Sequence, residues 1–572
     1  MTAIVPRLAC AACGWTPGPI DVDPYPFRCP RAGMDDGDHV IQRSISDVGR
    51  RAEQAPPLPV ADSGLATSDS HGNTRAVAAS PKRAGAKAGG TSDDGGLSHN
   101  PFIRYRTSLY SWQIFQALAD RAGLKPCSTE ADRDYCSIIE RVDAAIERVA
   151  GRGFHVTPFC RSDRLSSALG FDASGGVWVK DETGNVSGSH KARHLMGVAL
   201  YLEVLRRLGV DRGTDRPLAV ASCGNAALAA AVVARAIGRK LLVFVPEHAS
   251  SSIVAELERL GAVVTRCSRP TPSSGDPSYL AFRRAVDDGA LAFSCQGNEN
   301  GLVIEGATTL GYEIIDQTNE TVPDPTSVGR GVRGPQRGSR VGVPFSLAAL
   351  DRVFIQVGGG ALASACVQAF TDCVVAGRLA ALPRIHAVQT RGGYPLKRAY
   401  DLVVEHVFER LVQSSPGAHT GFATEGDRAA YMLRAASPAL LDEVFAYART
   451  HRSQFMWRWE TEPRSIASGI LDDETYDWAA VVEGMVRSGG FPVVVDEATL
   501  DEANMLARES TCISQAEARK FHCCGTAGLQ TGGSDVDHTG SAGLAGLITL
   551  TRSLDKPQPT ERITVLFTGV RR

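Results

Sequence analysis

Four short stretches of this 572-residue chain bring together residue types that could do chemistry. The first is Gly188-Ser189-His190-Lys191-Ala192-Arg193, directly after the strand-like Val177–Lys180 and Asp181-Glu182. It puts a lysine where a helix begins. A helix N-terminus disfavours a cation, so this lysine is either a solvated first-turn residue, or is answered by an anion, or is held neutral. A neutral lysine amine is a nucleophile that condenses with aldehydes. The second stretch is Ala221-Ser222-Cys223-Gly224-Asn225-Ala226, again strand, glycine turn and helix. Its free N–H groups and serine hydroxyl suit a carboxylate, with Ser222, Cys223 and Gly224 as the contacts; an ordinary N-cap is the plainer reading. The third, Val357-Gly358-Gly359-Gly360-Ala361-Leu362, runs an apolar strand into three glycines and a small-residue helix, a form that wraps a phosphate. It lacks the lysine of a nucleotide P-loop and the spacing of a dinucleotide fingerprint; a tight turn is the alternative. The fourth, Ile563–Phe567 ending in Thr568-Gly569, says little alone.

Taken jointly, an aldehyde-binding lysine, a carboxylate cradle, a phosphate cradle and a hydroxyl at a strand end point to pyridoxal 5'-phosphate. With these residues in that order, the chain resembles the fold-type II, tryptophan-synthase-β-like pyridoxal-phosphate enzymes, and in particular the threonine synthase and threonine/serine dehydratase branch. The resemblance covers roughly Phe102 to Gly569. It implies that Lys191 carries the cofactor, that Asn225 contacts its phenolic oxygen, and that Gly358, Gly359, Gly360, Ala361 and Leu362 hold its phosphate. It also implies that Thr568 meets the pyridine nitrogen and that Ser222 holds the substrate carboxylate. Leu260-Gly261-Ala262, Glu305-Gly306-Ala307-Thr308-Thr309 and Asp537–Leu544 are further matches. The chain departs from the branch at three places. Lys191-Ala192-Arg193 is closer to the dehydratase K-x-R than to the synthase K-D-R. Ala226 stands where the branch has His or Thr, and His190 resembles the tryptophan synthase β subunit.

The activity so implied is β-elimination with loss of ammonia from a hydroxyamino acid of the threonine or serine type, an ammonia-lyase reaction. Freed Lys191 would be the base at the α-carbon and the cofactor the electron sink. A neutral Thr568 would not hold the pyridine nitrogen protonated, which favours elimination over transamination. Threonine synthase, a replacement on O-phosphohomoserine, is the same-class alternative and needs an added cationic pocket that the sequence does not show. A cofactor-binding sensor or scaffold without turnover is the other-class alternative. A homodimer follows from the resemblance alone.

The elements that must position these residues alternate. Apolar runs at Gly176–Lys180, Leu218–Ala221, Leu241–Val245, Val263–Thr265, Arg352–Val357, Ile385–Gln389 and Ile563–Phe567 read as buried strands. Helical patterns separate them, at Lys191–Leu208, Asn225–Ile237, Ser252–Leu260, Tyr279–Asp288, Val303–Asp316 and Leu362–Val375. This spacing predicts βαβ units. The expected fold is α/β, with two open parallel or mixed sheets flanked by helices and the cofactor in the cleft between them.

Three regions break that rhythm. Residues 1–45 hold Cys10, Cys13 and Cys29 in a knuckle too short to build its own core. These cysteines resemble the first three ligands of the zinc ribbon at the start of some threonine synthases. Structural zinc takes four ligands. Ala32 stands at the place of the fourth cysteine and His39 is the nearest substitute, so zinc and a decayed ribbon with free thiols both stand as readings. Residues 46–98 are poor in large apolar side chains and read as a disordered linker. The catalytic region spans 99–572, with insertions at about 318–347, rich in Arg and Gly, and 512–536, where His522, Cys523 and Cys524 offer a second, awkward metal set.

With 61 basic and 63 acidic residues, the net charge is −2, which argues against a polybasic partner for nucleic acid or a membrane surface. No apolar run is long enough to span a bilayer. Fourteen cysteines without a signal-peptide core predict reduced thiols in the cytoplasm.

Overall fold

The computed structural model describes residues 8–43, 98–211, 216–268, 276–321, 350–414, 421–510 and 535–572. The expected linker lies outside these residues except at 98. So do the expected insertions, except at 318–321 and 535–536, and so do His522, Cys523 and Cys524.

Short β-branched and apolar runs form two sheets. The larger has the order β11 (Val493–Val495), β10 (Arg384–Thr390), β9 (Arg352–Gln356), β12 (Arg562–Phe567), β4 (Gly176–Asp181) and β3 (Phe159–Ser162). Its pairings are parallel apart from β3, which runs antiparallel to β4 at one edge. The smaller is all parallel, in the order β7 (Val263–Cys267), β6 (Leu241–Pro246), β5 (Leu218–Ala221) and β8 (Leu291–Ala292). The mixed and parallel sheets match the expected fold. Parallel strands need both faces covered, which explains why β9 and most of β12 are buried from end to end.

Six helices matter for the site: α1 (Thr129–Ala150), α2 (Lys191–Arg207), α3 (Asn225–Ala236), α4 (Val303–Thr321), α5 (Ala361–Val375) and α6 (His538–Thr551). Helix α4 runs on to Thr321, four residues into the stretch read as an insertion. Its polar Gln317 and Thr318 are buried rather than solvated. Helices α2 and α4 touch backbone to backbone, since a Cβ at Gly197 would lie 2.7 Å from the Gly306 nitrogen.

The knuckle is a two-stranded antiparallel ribbon, β1 (Leu8–Cys10) with β2 (Ile41–Arg43). As its length requires, it borrows a core. Leu8, Cys10, Phe27, Cys29 and Ile41 pack in one apolar cluster with α2 and the smaller sheet.

Candidate active site

Three of the four loops lie side by side, because β9, β12 and β4 are neighbours whose parallel strands end at the same edge. Gly358 follows β9, Thr568 follows β12, and the segment after β4 leads to Lys191 at the first position of α2. The bond from the His190 N–H to the Thr568 carbonyl, 3.2 Å, ties the lysine loop to the last strand, and Ser189 bridges Gly569. The fourth loop arrives from the smaller sheet. Ser222–Gly224 connects β5 to α3, and the Gly224 N–H donates to Ser222 Oγ at 3.3 Å. Asn225 Nδ2 lies 2.7 Å from where a Cβ at Gly569 would be, and its Oδ1 accepts from Arg572 Nε at 3.0 Å. The Lys191 and Asn225 segments are thus both tied to the end of β12, next to the strand that leads into the glycine loop, the edge at which open α/β folds place ligand sites.

The histidines beside the lysine are neutral. His190 Nδ1 faces the Thr568 carbonyl at 3.1 Å and His194 Nδ1 faces the Val303 carbonyl at 2.8 Å, so each carries its hydrogen there. Burial first, then the charge of Lys191, pulls both rings well below the ordinary range, His194 to about 3.

Helix α5 starts at the third glycine, so the N–H groups of its first turn have no partner within the helix. A carboxylate is already seated there. Asp472 Oδ2 occupies the space that a Cβ at Gly358 would need, and the Gly359 N–H favours the charged form of the same side chain. Burial pushes the Asp472 carboxyl up to about 6, against the pull of Lys191 and of that N–H. Asp477 is buried beside Gly360, accepts from the Gly297 N–H at 3.3 Å, and is pushed by burial to about 7. The sequence carried no sign of either aspartate. Both come from an irregular stretch with no periodicity, which packs against the glycines through Ile470, Asp472, Thr475, Tyr476 and Asp477.

Beneath the lysine lies a closed charge cluster. Arg193 binds Glu182 through Nε at 2.8 Å and Nη2 at 2.9 Å, and Glu313 through Nη1 at 2.7 Å. Lys180 Nζ binds Glu313 at 2.5 Å and Gln317 at 2.8 Å. Two cations meet two carboxylates and all four side chains are fully buried. Against the burial penalty, Arg193 holds Glu182 below its usual range.

The donor set fits pyridoxal phosphate. An amine, an amide and a hydroxyl lie at neighbouring strand ends, the Ser189 hydroxyl is buried with no hydrogen-bond partner among the described residues, and the glycine cradle already holds a carboxyl group.

The sequence profile described as "Pyridoxal-phosphate dependent enzyme" matches residues 152–437, half of the chain. The chain belongs to this family. Among curated relatives it is 24% identical over 253 residues to a threonine synthase of Methanocaldococcus jannaschii, covering 43% of this chain and 52% of that protein. It is 28% identical over 246 residues to a serine dehydratase-like protein of Mus musculus, covering 43% and 68%. The chain thus spans about half the length of the synthase it matches. Among solved structures, a T.th. threonine deaminase aligns at 18% identity with a TM-score of 0.44, covering 76% of this chain and 98% of that one. An L-serine ammonia-lyase from Rhizomucor miehei aligns at 16% and 0.44, covering 73% and 94%. Enzymes of this fold act on small amino acids. Among the described residues no helix is long and apolar enough to cross a membrane.

The knuckle brings its three cysteines together with His39, and their ligand atoms all lie within 4.8 Å of one another. His39 Nδ1 faces Cys10 Sγ at 3.3 Å, while Nε2 bonds Asp35 Oδ1 at 2.7 Å.

Proposed function

We propose that this chain is a pyridoxal-phosphate-dependent ammonia-lyase that converts a hydroxyamino acid of the threonine or serine type to a 2-oxo acid and ammonia. The observation that carries the reading is the adjacency of Lys191, the glycine loop and a neutral hydroxyl, Thr568, at the ends of three neighbouring strands. When bound, the cofactor supplies an electron sink for charge at the substrate α-carbon. The N–H groups of Gly358 to Leu362 and the α5 dipole hold its phosphate. Asn225 and Thr568 orient its ring, and Ser222, Cys223 and Gly224 hold the substrate carboxylate. Lys191 Nζ takes the α-proton. The β-hydroxyl leaves as water, and water then enters as ammonia leaves. Neutral His190 and His194 put no second cation beside the lysine amine.

The test adds threonine, serine or O-phosphohomoserine to the full chain and identifies the products. A 2-oxo acid with ammonia supports the lyase, and threonine with inorganic phosphate moves the chain to the synthase reaction. Lys191→Ala should abolish either reaction. A cofactor that binds without turnover of any of these amino acids would favour a sensor.

The knuckle reads as a zinc site of three cysteines and His39. Asp35 on His39 Nε2 leaves Nδ1 to face the metal, the usual outer partner of a ligating histidine. One zinc per full chain by elemental analysis, lost in Cys13→Ser, supports this; a metal-free, folded chain removes it.

A further inference from the structure

The direction in which Thr568 offers its hydroxyl is set by a residue outside the four loops. Gln356, the last residue of β9, is buried. Its amide nitrogen lies 2.8 Å from the Gly540 carbonyl, 3.3 Å from the Leu566 carbonyl and 2.6 Å from Thr568 Oγ1. Carbonyl oxygens only accept, so the group facing them is the NH2; the flipped amide would set oxygen against two oxygens. The amide oxygen points the other way, 3.0 Å from where a Cβ at Gly543 would sit, and has no hydrogen-bond partner among the described residues. Gln356 cannot therefore turn over to accept from the threonine. Since Thr568 Oγ1 already accepts an N–H, its own hydrogen must be given to something else.

We propose that Gln356 is a positioning residue: by donating to Thr568 Oγ1 it fixes that hydroxyl as a hydrogen donor toward the ring nitrogen of the cofactor, which is thereby kept as an unprotonated acceptor. This rests on the proposed placement of the cofactor against Thr568. A threonine free to rotate could either donate or accept and would leave the protonation of the ring nitrogen open. Locked as a donor, it removes the protonated form. It thereby limits how much charge at the α-carbon the site can stabilise, and favours reactions in which a leaving group departs as the proton is lifted.

The experiment loads the full chain with ring-15N pyridoxal phosphate and follows the ring nitrogen by NMR through the neutral pH range. Borohydride reduction and peptide mass separately show whether the cofactor sits on Lys191. The wild type should hold one unprotonated signal throughout. Gln356→Met, close in shape to glutamine, should move the signal toward the protonated position as pH falls, and Thr568→Val should do the same. Because Gln356 acts through Thr568, the double variant should shift no further than Thr568→Val alone. A protonated nitrogen in the wild type, an unchanged signal in Gln356→Met, or a further shift in the double variant overturns the proposal. If Gln356→Met fails to fold, Gln356→Leu is read in its place: a signal that moves toward the protonated position supports the proposal, and an unchanged one overturns it. A chain with no cofactor on Lys191 overturns the proposed function instead.

Discussion

At the scale of single residues, the odd member of the site is Asp472. A phosphate cradle works by offering N–H groups to an anion, and here a side chain of the same chain takes that place. Cofactor phosphate and Asp472 carboxylate carry the same sign and face the same N–H groups. Removing the charge in Asp472→Asn should tighten cofactor binding by roughly tenfold, or about 1.4 kcal/mol, measured as the Kd for pyridoxal phosphate. Unchanged or weaker binding would mean that the aspartate helps to build the cradle. Asp477, at the third glycine, makes a prediction about stability. Its carboxyl ordinarily titrates at 3.8 and is pushed to about 7 by burial, with Asp38 adding to the rise while the Gly297 N–H and Lys191 oppose it. Between those pH values the folded chain holds a proton that the unfolded chain has released. Asp477 therefore favours the fold most below about pH 4, and this contribution fades as pH rises to about 7. Asp477→Asn should flatten the fall of Tm across that interval relative to wild type; parallel curves would refute the assignment. None of Asp472, Asp477 and Gln356 was legible in the sequence, for one reason. Each acts on a backbone or side-chain group more than a hundred residues away, and no local pattern records that.

At the scale of elements, the sequence was legible for the strands and helices that flank the four loops; β11 (Val493–Val495), though apolar throughout, and α1, though amphipathic, were not among the expected elements. The runs at Leu218–Ala221 and Ile563–Phe567 stood out because these parallel strands are buried on both faces, and Leu241–Val245 stood out as a run of apolar residues although only alternate ones are fully buried. Strand β3 did not: Phe159–Ser162 is half-buried, carries Arg161, and pairs antiparallel with β4 at the edge of the sheet. Strand β8 is two residues long, too short to show any period. Helix α2 shows what an element needs beyond its own pattern. Its first turn carries Lys191 and, two residues on, Arg193, whose guanidinium fork binds Glu182 after β4 and Glu313 on α4. Arg193→Leu leaves two buried carboxylates with Lys180 as their only cation in that cluster. It should cost about 3–5 kcal/mol, read as a lower urea midpoint. Arg193→Lys keeps the charge but loses the fork and should fall between. Equal midpoints for all three chains would show that α2 is placed by packing alone.

At the scale of the whole molecule, the knuckle is part of the body. Arg43, at the end of β2, reaches Glu305 on α4 at 3.2 Å and Asp372 on α5 at 2.6 Å. Asp36 holds Ser453 through its N–H at 2.9 Å and its hydroxyl at 2.7 Å, while the Asp38 N–H donates to the Arg449 carbonyl at 2.7 Å. The same ribbon thus holds the helix that begins at the glycine loop and the chain that leads to Asp472. Arg43→Met leaves Glu305 and Asp372 without their shared cation and should cost about 3–5 kcal/mol. It should also weaken cofactor retention, measured by dialysis. Loss of stability with full retention would make the ribbon a support for the fold alone.

The position of β12 in the larger sheet has a consequence for how the protein is made. Residues 562–567 are its last strand in sequence, yet they lie between β9 and β4, two places from one edge and three from the other. The smaller sheet has all its strands once residue 292 has left the ribosome. The larger one must wait with a gap in its middle, its two flanking strands exposing unpaired edges of the kind that recruit other chains. A nascent chain halted before residue 562 should therefore carry a protease-resistant smaller half and a sticky, unfinished larger one, and Thr568 can join the site only after that gap is filled.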